Sequence, residues 1–335
     1  MNAADANELY MIPAEDTPGE NREQFYRDVL KGLNSDQKQL PSKYFYDAVG
    51  DRLFQDIMEC PEYYVTRCEM EIFSSRAREM AELIMQSGDP FYLIELGPGD
   101  CTKSEHLLRA LVGAGADYTY VPVDISGDVI RNLETTLPDR VPGLKVCGRT
   151  GDYRDLPGGP GPVPDRRKVI LCLGGNIGNM TPADTRLFTA DLRSSLSCGD
   201  ICIIGFDLKK DPEIIRRAYD DAGGITRAFN LNLLERMNRE LQCDFPVEYF
   251  KHYSSYDPET GACKSYLVCM QDLEVRFPTA VIPFRKDECI WTEISQKYTL
   301  LQIEQLGRLS GFDPAGYFMD SKGWFSDVVW TAVGR

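Results

Sequence analysis

The sequence has 335 residues, of which 43% are hydrophobic and 27% charged, and a formal net charge of −15. That length and composition suit a folded protein with one large domain or two ordinary ones, each with a well-buried core. The acidic balance argues against a nucleic-acid backbone or an anionic membrane as partner, and no apolar run approaches the ~20 residues that a membrane span needs.

The first stretch, MNAADANELYMIPAED, is polar and acidic and reads as neither a signal nor a transit peptide. A cytoplasmic protein with reduced thiols is therefore expected, and it is taken to be a monomer. The eleven cysteines form no CxxC pair, so no structural zinc is expected. Cys172 and Cys202 sit inside apolar runs and read as buried hydrophobes. With only His106 and His252 present, a Ser-His or Cys-His nucleophile is disfavoured.

An amphipathic helix is expected over Arg22–Leu33. Lys43–Phe73 carries apolar and aromatic residues at helical spacing, broken at Pro61, with tyrosines at 44, 46, 63 and 64. Half-buried packing is the ordinary role of any one such tyrosine. Glu69–Gln86 reads as a helix leading into FYLIELGPGDCTK, Phe91–Lys103. There an apolar strand stops at Gly97-Pro98-Gly99, and Leu107, Leu108, Leu111 and Val112 follow at helix spacing. A strand, a glycine turn and a helix N-terminus is where α/β proteins hold nucleotides.

Strands and helices then alternate. Strands are expected at Tyr118–Val123, ending on Asp124; at Leu144–Cys147, before Gly151-Asp152-Tyr153; at Lys168–Leu173, running into GGNIGNM; and at Asp200–Phe206, ending on Asp207. The glycine- and proline-rich Gly158–Pro162 reads as a surface loop. Continuous apolar runs separated by helices mean a parallel sheet covered on both faces. Asp211–Leu241 reads as one helical stretch, Tyr249–Met270 and Asp272–Phe284 as antiparallel strands, and Glu293–Leu306 as a helix. GYFMDSKGWFSDVVWTAV closes the chain as two strands joined by a glycine turn. A parallel sheet closed by such a hairpin is the arrangement of S-adenosylmethionine-dependent methyltransferases and differs from a dehydrogenase sheet.

Three readings compete for the glycine turn. It could bind nothing. A nicotinamide site needs G-x-G-x-x-G, but the third position is Thr102. The acidic-x-G-x-G pattern of methyltransferases is met by Glu95-Leu96-Gly97-Pro98-Gly99. Later strand ends favour that reading: Asp124 can accept both ribose hydroxyls, Asp152 with Tyr153 can read an adenine edge, and Gly174–Asn179 forms an open loop beside the expected methyl group. A ligand lying across the carboxyl ends of successive strands would touch all of them.

The motifs YFYDAVGDRLFQDIMECPEYYVTR, ELGPGDCTK, YVPVDIS, LGGNIGNM, DLKKDPEIIRRAYDDAGGITRAFNLN and WTEIS cover nearly the whole chain. On them the sequence resembles the histidine Nα-methyltransferases, which make hercynine, the first intermediate of ergothioneine biosynthesis. The resemblance implies an α/β fold: a Rossmann-like class I methyltransferase core over 70–208 and 297–335, with a seven-stranded sheet and C-terminal antiparallel hairpin, plus an α+β substrate-binding domain over 1–69 and 209–296. It implies three methyl transfers from S-adenosylmethionine to the α-amino group of histidine, a small-molecule partner. The alternative on this scaffold is an N-methyltransferase of another aromatic amino acid, of tryptophan or tyrosine type.

Carried over by position, the resemblance assigns Gly97, Gly99, Lys103, Asp124, Asp152 and Tyr153 to the cofactor. Tyr63 becomes the substrate tyrosine of PEYY, and Tyr46 of YFYD, with Asn179, the catalytic pair. Asn179 and Tyr219 would hold the amino-acid head, with Thr226 nearby, and Glu293 and Ser295 would be the imidazole pair. Methyl transfer needs a neutral amine aimed at the methyl group, so positioning and exclusion of water are the enzyme's tasks. Tyrosine hydroxyls and amide oxygens suit that amine, because a carboxylate beside it would hold it as ammonium. Without the resemblance, Glu293 would read as a helix N-terminal acid favoured by the dipole.

Overall fold

The computed structural model describes residues 18–151 and 166–334. These fall into two compact units. A sheet-bearing unit takes Gln55–Gly224, Ser254–Lys264 and Ile294–Arg335; a smaller one takes the described part of Met1–Phe54 with Ile225–Tyr253 and Ser265–Glu293.

In chain order the first elements are α1 (Pro18–Leu33), α2 (Ala48–Glu59), α3 (Val65–Met85), β1 (Phe91–Leu96), α4 (Glu105–Gly113) and β2 (Tyr118–Asp124). Next come α5 (Gly127–Arg140), β3 (Arg149–Thr150), β4 (Arg167–Cys172), α6 (Pro182–Ser194), β5 (Ile201–Asp207), α7 (Pro212–Ala218) and α8 (Ile225–Leu241). The chain continues through β6 (Phe250–Tyr256), β7 (Ala262–Cys269), β8 (Leu273–Phe277), β9 (Ala280–Phe284) and β10 (Cys289–Gln296). It ends with α9 (Leu300–Leu309), β11 (Phe312–Met319) and β12 (Phe325–Ala332).

The main sheet is seven-stranded, in the order β11-β12-β5-β4-β1-β2-β3. Strands β1 to β5 run parallel, and β12 returns antiparallel between β5 and β11. This is the Rossmann-like methyltransferase sheet with its closing hairpin. Strand order reverses between β1 and β4, so the crevice outside their carboxyl ends is the ligand position. Alternate side chains feed two cores: Leu93 and Ile203 join Ile72, Phe73 and Leu108 on one face, while Ile94 and Ile204 join Phe188, Leu192 and Ile303 on the other. That explains the continuous apolar runs. Cys172 and Cys202 are buried thiols within them, and burial pushes Cys172 up to about 12.

The unit boundaries fall elsewhere than at 69/70 and 208/209. Helix α3 buries Val65, Cys68, Glu69, Ile72 and Phe73, which ties its first turn to the sheet-bearing unit. Residues 209–224, 254–264 and 294–296 belong to that unit as well.

Three elements differ from expectation. Leu144–Cys147 makes only an isolated bridge at Val146, and the third strand is Arg149–Thr150. A Cβ at Gly148 would lie 2.4 Å from Ile130, so α5 presses on the chain at that point. The helical stretch after Asp211 is two helices, separated around Gly224, whose φ of +74° suits glycine. Glu293 lies on a strand: Ile290, Thr292 and Ile294 alternate inward along β10, and the helix begins only at Leu300, where Thr299 and Gln302 form a capping box.

In the smaller unit, α1 and α8 carry aromatic contacts, with Phe25 stacked on Tyr44 at 4.1 Å and Phe45 on Phe229 at 4.6 Å. The β8–β9 hairpin contributes Phe277 and Phe284 to a cluster with Phe245 and Phe250. Strands β10, β7 and β6 form a three-stranded sheet in that order. Among the described residues no helix is long and apolar enough to cross a membrane.

Candidate active site

The turn after β1 is built from left-handed backbone. Gly97 has φ +67° and Gly99 +56°, and a Cβ on either would meet nothing within 4 Å. Both therefore line open space where backbone can approach a ligand. Cys101 adopts φ +62° with its thiol buried against Ser104 and Tyr120, a strained position of the kind that clusters at functional sites. Asp124 ends β2, half-buried, with its carboxylate accepting from the Ser126 N–H at 2.9 Å. Burial raises it above the usual carboxylate range. Ile125, next in the chain, is 78% exposed, which leaves a large apolar side chain at the strand end. Asp152 and Tyr153 lie outside the described residues. An open glycine cradle, a carboxylate and an exposed apolar side chain at adjacent strand ends fit a nucleoside-bearing cofactor.

Lys103 sits on this turn and is ion-paired to Glu69 of α3. Glu69 is fully buried and also accepts the Gly174 N–H at 2.7 Å, tying α3, the β1 turn and the loop after β4 to one carboxylate. Gly205 makes room for it, since a Cβ there would stand 2.6 Å from a Glu69 carboxylate oxygen. Burial opposes the Lys103 charge, but Glu69 outweighs it and raises the ammonium. Two further acids lie close. Burial and then Glu69 push Asp327 of β12 well above the carboxylate range. Burial raises Glu95 to about 7 while the Tyr120 hydroxyl donates to it at 2.6 Å.

The loop after β4 turns through Gly174 and Gly175, both at positive φ, into a short 3-10 turn at Asn176–Asn179. A Cβ at Gly178 would lie 2.9 Å from the Gln296 carbonyl, so this loop packs on the end of β10. Asn179 itself is exposed. At the end of β5, Asp207 is fully ringed. Tyr64 donates to both its oxygens at 3.0 and 2.8 Å, and Lys210 and Lys297 both pair with it, Lys297 at 2.6 Å. Burial would raise Asp207, but Lys297 and then Lys210 outweigh it and hold the carboxyl below its usual value. Lys297 also donates to the Tyr219 and Ser295 hydroxyls, each at 2.8 Å, and those oxygens are 2.7 Å apart. Tyr63 meets the Tyr219 ring edge-on at 6.1 Å. Tyr63, Tyr219 and Ser295 are thus brought together.

Tyr46, Thr226 and Glu293 belong to the smaller unit. Tyr46 is 45% exposed, with its ring edge-on to Phe54 and Phe229. Desolvation of its hydroxyl, and then the charges of Glu293 and Asp51, raise the phenol well above its usual value. Thr226 is buried in the first turn of α8, and its carbonyl accepts from Asn230 at 3.0 Å. Asn230 in turn accepts the hydroxyl of Thr292, the residue before Glu293, at 2.9 Å. Glu293 and Ser295 are two residues apart on β10, hence on one face of the strand. Sequence reasoning noted Asp207 only as a strand-ending acid and missed Glu69, Ile125 and Lys297. Ile125 alone carried a local signal, as an apolar residue directly after the strand-end acid.

A family model for histidine-specific, S-adenosylmethionine-dependent methyltransferases matches residues 25–332. The chain is 36% identical over 302 residues to the histidine N-alpha-methyltransferase of Mycolicibacterium smegmatis, covering 87% of this chain and 92% of that protein. It is 35% identical to the histidine N-alpha-methyltransferase of Mycobacterium tuberculosis, covering 81% and 84%. It is also 27% identical to an L-tryptophan methyltransferase of Psilocybe serbica, covering 88% and 89%.

Proposed function

The chain belongs to the histidine-specific, S-adenosylmethionine-dependent methyltransferase family, and from that premise we propose that it adds three methyl groups in succession to the α-amino group of L-histidine. The product would be hercynine, Nα,Nα,Nα-trimethyl-L-histidine, on the way to ergothioneine. The observation that carries the substrate choice is the Glu293–Ser295 pair on one face of β10. A neutral imidazole has one N–H and one bare nitrogen, and a carboxylate beside a hydroxyl matches both. An indole has an N–H but no bare ring nitrogen, so tryptophan would leave Ser295 without an acceptor on the ring.

S-adenosylmethionine supplies the methyl group, carried on a sulfonium. Gly97 and Gly99 would receive it with backbone groups, Lys103 would face its carboxylate, and Asp124 would accept from its ribose hydroxyls. Ile125 would cover one face of the adenine, and Asp152 and Tyr153 would read its edge. Asn179, Tyr63 and Tyr46 would orient the substrate amine through amide and phenol oxygens, which accept N–H bonds without holding the nitrogen as ammonium. Tyr219 and Thr226 complete the assignment at the amino-acid head. No side chain has to act as base if the amine loses its proton to solvent before it is enclosed. The same reading takes the protein as a cytoplasmic monomer acting on a small molecule.

The test is calorimetric titration of the protein saturated with S-adenosylhomocysteine. Histidine should bind at least about tenfold more tightly than tryptophan, since a buried polar group left unpaired costs about 1–3 kcal/mol. Equal affinities for the two amino acids would sink the assignment of Glu293 and Ser295.

A further inference from the structure

Lys297 is fully buried and all three of its N–H donors are spent inside the protein, on Asp207, Tyr219 and Ser295. Its backbone is clamped as firmly: the Lys297 N–H bonds the Gly261 carbonyl at 2.8 Å, and the next residue's N–H bonds the Asp207 carbonyl at 3.0 Å. A Cβ at Gly261 would stand 2.3 Å from the Lys297 carbonyl, so the clamp depends on glycine there. This is an expensive arrangement for a lysine, and it ends on two hydroxyls assigned to the substrate.

Counting protons shows its effect. Each hydroxyl oxygen has one proton and two lone pairs, and Lys297 occupies one lone pair on each. The Tyr219 and Ser295 oxygens are 2.7 Å apart, so one of their two protons lies between them. A phenol, with a pKa near 10, is the stronger donor of the two, and accepting from an ammonium strengthens it further. With Tyr219 as the donor of that bond, the Ser295 oxygen is its acceptor. Both lone pairs of Ser295 are then used, by Lys297 and by Tyr219, and its own proton can only point away from the triad.

We propose that Lys297 is a positioning residue which locks Ser295 as a hydrogen-bond donor, so that the enzyme accepts histidine with a neutral imidazole and rejects the imidazolium form. The inference rests on the reading of Ser295 as a partner of the substrate ring. A bare ring nitrogen can accept from Ser295, whereas an imidazolium offers N–H at both nitrogens and meets a donor. The groups facing Lys297 are Asp207 from β5, Lys210 and Tyr64 around that carboxylate, Tyr219, Ser295, Tyr256 from β6 and Tyr298. Burial raises the phenols of Tyr64, Tyr256 and Tyr298, and Lys297 with Lys210 holds the Asp207 carboxyl below its usual value, while the substrate ring, as an ordinary imidazole, titrates near about 6.5.

The experiment compares kcat/KM for histidine between pH 5.5 and 8.5 in the unchanged protein and in Lys297→Met, with S-adenosylmethionine affinity and thermal melting as controls for folding. In the unchanged protein, protonation of the amine costs about tenfold per pH unit, and below about 6.5 the ring should impose a second factor of about ten per unit. In Lys297→Met, Ser295 is free to turn a lone pair outward, so the second factor should vanish while the first remains. Should that variant fail to fold, Ser295→Ala keeps the Lys297–Asp207 pair and should lose the same ring step. A ring step retained in the folded variant overturns the inference and leaves histidine methylation standing. Absence of histidine turnover in the unchanged protein overturns both together.

Discussion

Glu95 offers a sharp test of the energetics at the cofactor turn. Its carboxyl is buried at the end of β1, two residues before Gly97, and burial raises it from an ordinary 4.5 to about 7. A carboxyl whose folded pKa lies above its unfolded value binds its proton more tightly in the folded state. Folding is therefore favoured fully below about 4.5, and that advantage is lost as pH rises to about 7. At ~1.4 kcal/mol per pH unit, the interval from 4.5 to about 7 is worth roughly 3.5 kcal/mol. Glu95→Gln removes this titration with little change of shape. The amide oxygen can still accept from the Tyr120 hydroxyl, and the buried Ser104 hydroxyl can accept from the new NH2. Urea unfolding of parent and variant at pH 5, 6, 7 and 8 should show Glu95→Gln gaining about 2.5 kcal/mol between pH 5 and pH 8, most of it by pH 7. Neighbouring groups titrate in both proteins, so the difference isolates Glu95. Parallel stability curves across that range would refute the reasoning.

Gly205→Ala should destabilise the protein by about 1–3 kcal/mol or more, because its Cβ would stand 2.6 Å from Glu69 and 2.9 Å from the Phe325 ring; an unchanged melting temperature would show that this packing is slack. Asp124→Ala should abolish S-adenosylmethionine binding by calorimetry, and parental affinity would remove the ribose role from the strand end. Glu293→Ala should raise the KM for histidine by about 10- to 100-fold with cofactor affinity intact, given about 1–3 kcal/mol for a lost buried hydrogen bond. Unchanged histidine kinetics would strike Glu293 from the substrate site.

Strands β1, β2, β4 and β5 were legible because both faces of a parallel sheet are covered, so each reads as an unbroken apolar run. The strand-end acids and the glycine turn followed from them. β10 was misread for a physical reason: Ile290, Thr292 and Ile294 alternate, but no glycine or proline marks the strand end before the true helix at Leu300. The third strand escaped because its two residues are too short to show a pattern. The Asp207 cluster was invisible in principle. Tyr64 and Asp207 are 143 residues apart, and Lys297 in sequence is one lysine among many, with no period that marks it as buried. Glu69 was hidden in the same way, within a helix whose other charges face water.

The central claim is the choice of amino acid and the atom that is methylated. Incubating the protein with S-adenosylmethionine and an equimolar mixture of the twenty amino acids, followed by mass spectrometry, measures both. Histidine alone should gain mass, in steps of one methyl up to three, with fragmentation placing every methyl on the α-nitrogen. Methylation of tryptophan or tyrosine in its place, or of a histidine ring nitrogen, would contradict the account.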